Sequence, residues 1–357
     1  MQRFTCPNCG ADRIFDPASG KLRCTGCGTL ASIAGQGSVA EHDLAAALQQ
    51  AAANADGQLS ATAMQVTCGG CGATVSFEPA QVAGQCPFCA VKIVMQPKLA
   101  DPLIAPGAIL PFALQQERAN QAVREWIESR WFAPSQLRQL ALVQGLSGVY
   151  VPFWSFSAST LTAYTGERGD NYTETVTRRQ GEQTVTEQVV RTRWSGARGQ
   201  VPAEFADLLV PATTSVQSIQ LNDLEPWDLN QLTAYEPAYL AGFQAQRYQV
   251  PLADGFMLAK ELMEPGIDNA IRREIGGDQQ RIHERRTQYR DTGFRHVLLP
   301  IWIGAYHFQG KVFQVMVNAR TGEVQGDRPY SPAKIALAIV LVLLVVALIW
   351  ASSTTAR

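Results

Sequence analysis

The residues of this chain best suited to chemistry are its eight cysteines, which fall into two copies of one pattern. Cys6 and Cys9 are followed by Cys24 and Cys27; Cys68 and Cys71 are followed by Cys86 and Cys89. The second copy is the first displaced by 62 positions (68 − 6, 71 − 9, 86 − 24, 89 − 27). Each Cys-x2-Cys pair can bend into a knuckle that aims two sulfurs at one point, and two knuckles complete a tetrahedral zinc site. Gly10-Ala11 recurs as Gly72-Ala73, and Phe15-Asp16-Pro17 as Phe77-Glu78-Pro79. A small residue follows the second cysteine of every knuckle (Gly10, Gly28, Gly72 and Ala90), where the turn needs room. The pattern predicts two zinc ribbons with one structural zinc ion each. An all-cysteine site leaves no position open for a substrate or water.

Other cysteine chemistries fit less well. Disulfides need an oxidising compartment, and no signal peptide precedes these cysteines. A redox Cys-x-x-Cys needs one motif on a βαβ unit, not four in pairs. A rubredoxin-like iron site suits the Cys-Pro-x-Cys knuckles at Cys6-Pro7 and Cys86-Pro87.

Further catalytic groupings are missing. Gly20-Lys21 and Gly310-Lys311 lack both the leading glycine and the following hydroxyl of a phosphate-cradling loop. His283-Glu284 continues as Arg285-Arg286-Thr287, which is not a zinc-protease helix, and no Gly-x-Ser-x-Gly elbow occurs. His42, His283, His296 and His307 are scattered. The expectation is a protein that is not an enzyme.

The elements that must position the cysteines divide the chain as follows. Residues 1–34 form zinc ribbon 1, 35–64 a linker rich in small and polar residues, and 65–98 zinc ribbon 2. Residues 99–330 form an α+β domain, and 331–357 a C-terminal transmembrane anchor with a short tail. In the main domain, Val123, Trp126 and Ile127 recur at helical spacing within 114–130, and Pro134 follows. A strand is expected over 148–157 and a long exposed hairpin over 173–194 about Gln180-Gly181. Helices are expected over 255–263 and 268–290, the second strongly charged. Strands follow over 296–308 and 311–317, with a turn over 318–323. An internal echo links Val151-Pro152-Phe153-Trp154 with Leu299-Pro300-Ile301-Trp302, and Ile109-Leu110-Pro111-Phe112 shares part of it. Proline at such positions reads as an edge-strand device.

The run Ile335–Trp350 is uncharged and apolar, about 25 Å long as a helix. Lys334 and Arg328 precede it and Trp350 closes it, which predicts a tail-anchored, single-pass protein of the cytoplasmic (inner) membrane. The N-terminal part would then stay in the cytoplasm, with the membrane as one partner.

Charge bears on the other partners. Lys+Arg number 30 against 31 Asp+Glu, a net charge of −1. Ribbon 1 carries Arg3, Arg13, Lys21 and Arg23 against Asp12 and Asp16; ribbon 2 carries Lys92 and Lys98 against Glu78. A zinc ion with four thiolates adds a net negative charge to each, so neither ribbon is equipped to grip a phosphate backbone.

Several segments together carry a family resemblance over nearly the whole chain. They are the two ribbons, Trp131-Phe132-Ala133-Pro134, 150–154, 164–170, Tyr239-Leu240-Ala241-Gly242-Phe243, 299–302, 317–324 and Arg328-Pro329-Tyr330-Ser331. The chain resembles bacterial membrane-anchored double-zinc-ribbon proteins, often labelled primosomal protein N′ (replication factor Y)-like superfamily II helicases. It lacks the helicase nucleotide-binding motifs. The resemblance implies protein partners of a phage-shock-type membrane-stress system. The resulting expectation is an α+β, multidomain, membrane-anchored zinc-ribbon scaffold that presents a cytoplasmic protein-binding surface, including Phe4, Ile14, Val75 and Phe88. The alternative is a membrane-tethered nucleic-acid-binding protein.

Overall fold

The computed structural model describes residues 4–33, 39–54, 60–67, 74–77, 83–85, 92–94, 98–100, 104–134, 145–180, 183–214, 218–308 and 311–355. Side chains are described for all of these except 51–100, 178–185, 218–219, 305–312, 349 and 351–355. Ribbon 1 contributes β1 (Arg13–Asp16), β2 (Lys21–Cys24) and β3 (Leu30–Ala31), which form their own antiparallel sheet. Next come β4 (His42–Asp43) and α1 (Leu44–Asn54). The second cysteine repeat is flanked by β5 (Ser60–Thr67), β6 (Thr74–Phe77), β7 (Ala83–Gln85), β8 (Lys92–Val94) and β9 (Lys98–Ala100). Strands β6, β7 and β8 fall close to where β1, β2 and β3 land when displaced by 62, at 75–78, 83–86 and 92–93. The pairing repeats only in part: β7 pairs β8 as β2 pairs β3, while β6 pairs β5 where β1 pairs β2.

The body is one nine-stranded sheet. Its members beyond β4 are β10 (Ala108–Ile109), β11 (Ser147–Gln180), β12 (Gln183–Pro211), β13 (Thr233–Ala234), β14 (Gln244–Ala245), β15 (Gln279–Phe308), β16 (Lys311–Asn318) and β17 (Val324–Gly326). Helices α2 (Gln116–Glu128), α3 (Ser218–Asn222) and α4 (Leu252–Ile275) accompany it, and α5 (Pro332–Thr355) follows. Three long strands dominate, in the order β12-β11-β15, antiparallel throughout.

Side-chain alternation along β11 serves two faces at once. Val149, Val151 and Phe153 join Leu221, Leu224 and Trp227 on one side. Tyr150 joins α2 and the ribbon on the other, and further along Trp154 and Phe156 meet α4. Helix α4 buries Leu252, Gly255, Ala259, Met263, Ile267, Ile271 and Ile275, a stripe at near-fourfold spacing that fits one helical face.

The internal echo is a feature of this sheet centre. Val151 is opposite Leu299, and Leu298 is opposite both Pro152 on β11 and Ile109 on β10, so the three copies lie side by side. The prolines do not mark edge strands as expected. Pro152 lies where the outer neighbour of β11 changes from β14, which pairs Val149 and Tyr150, to β12, which begins opposite Phe153. Pro300 lies where β15 changes from β10 (Val297 and Leu298) to β16 (from Ile301). At such a junction a missing N–H interrupts neither ladder. The carbonyls are still used: Pro152 accepts from the Ala212 amide at 3.0 Å and Pro300 from Ala319 at 3.1 Å.

Two bulges lie beside each other across the three long strands. The β11/β12 register shifts between Phe156 and Ala158, and the β11/β15 register between Ser157 and Ser159. Each places an aspartate at positive φ on a flanking strand, Asp207 at 53° and Asp291 at 47°. Bulges bend and twist the strands that carry them. Beyond them the same strands form an arm, one face of which α4 still covers where Ala158, Tyr164 and Val201 meet Met263, Ile267, Ile271 and Ile275.

Several expectations are corrected. The expected α+β, multidomain chain with a C-terminal transmembrane helix gives way to a strand-rich molecule organised on the nine-stranded sheet. Among the described residues no helix is long and apolar enough to cross a membrane. The expected transmembrane anchor, the membrane as partner, and the tail-anchored, single-pass inner-membrane placement are therefore not supported. Helix α5 leaves the body at Ser331, whose amide donates to the Phe132 carbonyl, and its Lys334 Nζ donates to the Ala133 carbonyl at 2.7 Å.

The expected helix over 268–290 is also corrected. Helix α4 runs through Pro265, which faces solvent, and ends at Gly276 and Gly277, whose φ of 64° and 73° lies in the left-handed region. From Gln279 onward the charged residues belong to strand β15.

Candidate metal centre

The four cysteines of ribbon 1 converge. The sulfurs of Cys6, Cys9, Cys24 and Cys27 all lie within 4.8 Å of one another. Cys6 and Cys27 sulfurs are 3.6 Å apart and Cys9 and Cys24 sulfurs 3.3 Å. Four sulfurs at about 2.3 Å from a central ion would stand about 3.8 Å apart in a tetrahedron, so the separations fit a four-sulfur metal site. None of the four is in a disulfide.

The two knuckles have the same local construction. The Gly10 amide donates to the Cys6 carbonyl at 2.9 Å, and the Gly28 amide to the Cys24 carbonyl at 3.1 Å. Gly10 and Gly28 sit at φ of 76° and 72°, which explains why glycine follows the second cysteine in both. The ladder closes behind them: the Cys6 amide donates to Ala11 and the Cys24 amide to Thr29. Thr25 Oγ1 ties the second knuckle to the Asp12 carbonyl at 2.9 Å. Strands β1 and β2 set the separation, with Arg13 opposite Cys24.

Electrostatics prepare the cluster for a cation. The Cys27 thiol is lowered to about 6, first by its hydrogen bond with the Thr29 hydroxyl and then by the Thr29 amide. Cys24 is lowered by the Cys27 amide, aimed at its sulfur from 3.5 Å. At Cys9 the Ala11 amide favours the thiolate, but sharing protons with Cys24 and Cys27 outweighs it and pushes the thiol up to about 12. Crowded sulfurs cannot all ionise beside one another until a cation compensates them.

The ribbon is fastened to the body by an aromatic contact. Phe15 is buried, its ring 5.3 Å from Tyr239 and 6.3 Å from Phe243, and its amide donates to the Ala241 carbonyl at 2.8 Å. Leu22 joins the same core, and Phe4 packs partly buried against it. Part of the apolar ribbon surface expected to face a partner is thus used by the chain itself. Ile14 is exposed, while the side chains of Val75 and Phe88 fall outside those described. At the β1–β2 turn Asp16 accepts from Ser19 Oγ at 2.8 Å and pairs with Arg23 at 2.6 Å. Burial works against its charge, but these partners hold its carboxyl below the usual range.

Cys68, Cys71, Cys86 and Cys89 lie outside the described residues. Sequence inspection missed Thr29, whose hydroxyl is 3.1 Å from the Cys27 sulfur. Its counterpart 62 residues on is Val91, so repetition gave no signal for it. The docking residues Tyr239, Ala241 and Phe243 lie more than 220 residues from Phe15 and carry no local signal of that contact.

The histidines with described side chains do not assemble a site. His296 is buried; Nδ1 donates to the Ile104 carbonyl at 2.9 Å, and the ring lies 4.9 Å from Trp154. Burial lowers it to about 4, so it stays neutral. His283 faces Glu167 at 3.6 Å, and His42 lies 5.8 Å from the Phe294 ring. The side chain of His307 falls outside those described.

No family model matches the chain, and no solved structure matches it. A curated relative, "Uncharacterized protein YdjG" of Bacillus subtilis strain 168, is 26% identical over 334 residues, covering 93% of this chain and 92% of its own length.

Proposed function

We propose that this chain is a zinc-ribbon scaffold, a non-catalytic protein whose metal holds together a small N-terminal module docked on a rigid sheet that offers a surface to another protein. The observation that carries the reading is the convergence of four sulfurs with no other ligand type and no open position. Zinc is the ion that suits this set, and a second zinc is proposed at Cys68, Cys71, Cys86 and Cys89. Bound there, the metal supplies folding energy and no reactive water.

The surface on offer is the arm beyond the bulges. Four of its arginines are committed to acids: Arg168 to Asp170 at 2.9 Å, Arg191 to Glu174 at 2.6 Å, Arg281 to Glu167 at 3.4 Å, and Arg285 to Glu264 at 2.9 Å and to Asp268. Such a surface suits a mixed-charge protein partner better than a phosphate backbone. In ribbon 1, Arg23 is likewise committed to Asp16.

Metal analysis and gel-shift titration of the purified chain test the reading together. Two zinc ions per chain and DNA binding no tighter than the roughly 10⁻⁴–10⁻⁶ M of non-specific contacts are expected. No bound zinc, or submicromolar DNA binding at physiological salt that is lost when Arg13, Lys21 and Arg23 become alanine, would replace it with the nucleic-acid reading.

A further inference from the structure

We propose that the free edge of β12 in the arm pairs with the same edge of a second copy of this chain, antiparallel about a two-fold axis at Val190. The inference names a partner for the scaffold surface and rests on that reading of the arm, but not on the metal.

Three observations lead to it. Strand β15 leaves the arm at Gln279, opposite Gly169, so beyond that point only β11 and β12 continue, out to Gln180 and Gln183. A two-stranded ribbon has no third layer to bury a face and is marginal on its own in water. The described side chains over 170–177 and 186–193 are accordingly exposed or half-buried, with none buried.

Among the described residues, β12 pairs only with β11 and lies at the end of the strand order. Its outer N–H and C=O groups form a template for another strand. At this edge stands Val190, 67% exposed, beside Val189 and between Gln188 and Thr192 on its own face.

The sequence of that edge is complementary to itself when reversed. Antiparallel pairing about position 190 sets Val190 against Val190 of the second copy, and sets Glu187 against Arg193 (190 − 3 and 190 + 3). By symmetry the charge pair occurs twice. Gln188 then meets Thr192, and Thr186 meets Trp194. Moving the axis to 191 would put Arg191 against Arg191, and like charges directly opposite are destabilising. Moving it to 189 would offer Glu187 to Arg191, already held by Glu174 at 2.6 Å. Arg193 lies over the Tyr172 ring at 5.1 Å and forms no ion pair among the described residues.

Sedimentation equilibrium of the full chain tests this, in a mild detergent that covers the apolar surface of α5 so that contacts through that helix are not counted. A dimer is expected. Glu187→Arg should weaken it by about tenfold, as two attractive pairs become repulsive. Glu187→Arg combined with Arg193→Glu should restore it, because each reversed charge again meets its opposite. Both sites are exposed, so loss of the fold is not an alternative explanation.

A monomer at about 100 µM, a dimer indifferent to Glu187→Arg, or a double variant no better than the single would each overturn the proposal. A photo-crosslinker at position 190 separates this from the broader reading. A monomeric chain that crosslinks to a different purified protein keeps the scaffold and loses the self-pairing; crosslinking to neither removes both.

Discussion

Residues 4–33 bury two large apolar side chains, Phe15 and Leu22, beside the thiols Cys6 and Cys24. The sheet centre buries Tyr150, Phe153, Trp154, Phe156 and Phe112, each 2% exposed or less. The ribbon thus has too little apolar area to repay the entropy of ordering its backbone, and its two positive-φ knuckles bring the sulfurs together instead. The body has a closed aromatic core, in which Phe112 lies 5.0 Å from Tyr150 and 5.1 Å from Trp302. A metal on the four sulfurs would substitute for a core where the chain is too short to build one, and Phe15 is the link by which the ribbon is fixed to the core-held part.

The largest expected effect separates the two regions outright. Structural zinc contributes on the order of 10 kcal/mol to the folding of small zinc modules. Cys24→Ser should therefore release the ribbon metal and open the ribbon to protease, while the main thermal transition of the body persists. Joint loss of both in one transition would show that they are a single cooperative unit.

The reverse experiment targets the body. Trp154→Ala removes a fully buried ring whose Nε1 donates to the Val250 carbonyl at 2.9 Å, and should cost roughly 3–5 kcal/mol. The denaturant midpoint of the body should fall with ribbon metal retained. Phe15→Ala sharpens the comparison from the contact between them. About 3 kcal/mol of packing is lost there, so hydrogen exchange should rise at Tyr239–Phe243 with metal content unchanged.

Acid distinguishes the regions by a second route. His296 titrates at about 6.5 when unfolded and about 4 in the fold, so between these values the unfolded chain binds the extra proton. Its contribution is complete above pH 6.5 and declines as pH falls towards 4, by roughly 1.4 kcal/mol per pH unit within that window. Urea melts of the body at pH 7, 5.5 and 4.5 should show the decline, and His296→Gln should flatten it. The ribbon follows its own course, because protonated thiols release metal.

The smallest effect lies at the bulges. Asp291 holds a φ of 47° that an L-residue adopts at a cost of about 1 kcal/mol, which Asp291→Gly should partly recover. Asp207→Gly should gain less or lose, since Asp207 also pairs with Arg295 and accepts from Ser155 Oγ at 3.3 Å. Equal midpoints for the two variants would show that the Arg295 pair contributes nothing.

The ribbon was legible in the sequence because its determinants are local: cysteine spacing and the glycine after each knuckle are written within four residues. Helix α2 was legible for the same reason, from Val123, Trp126 and Ile127. The long strands were legible in pieces, as the hairpin over 173–194 and the strands over 148–157 and 296–308, but not the stretch of β15 over 279–290, which reads as helix. Only Ile282 and Tyr289 of this stretch pack towards the helix-covered face, and a register shift opposite Thr165 and Gly166 falls between Ile282 and Glu284, so the sequence gives no sustained period-two signal. Pro152 and Pro300 misled in another way. Their meaning depends on which neighbour a strand has on either side, and that is set by β10, β14 and β16, far away in the chain. The contact of Phe15 with Tyr239, 224 residues on (239 − 15), belongs to the same class.

Hydrogen exchange on the metal-loaded chain, before and after chelation, addresses the central claim most directly. If metal holds the ribbon while the core holds the sheet, chelation should release one metal ion from Cys6, Cys9, Cys24 and Cys27 and deprotect the amides of Cys6, Phe15 and Cys24. The amides at the centre of β11 and β15, from Val149 to Phe156 and from Phe294 to Ile303, should keep their protection. A ribbon that stays protected without metal, or a sheet that opens together with it, would contradict the account.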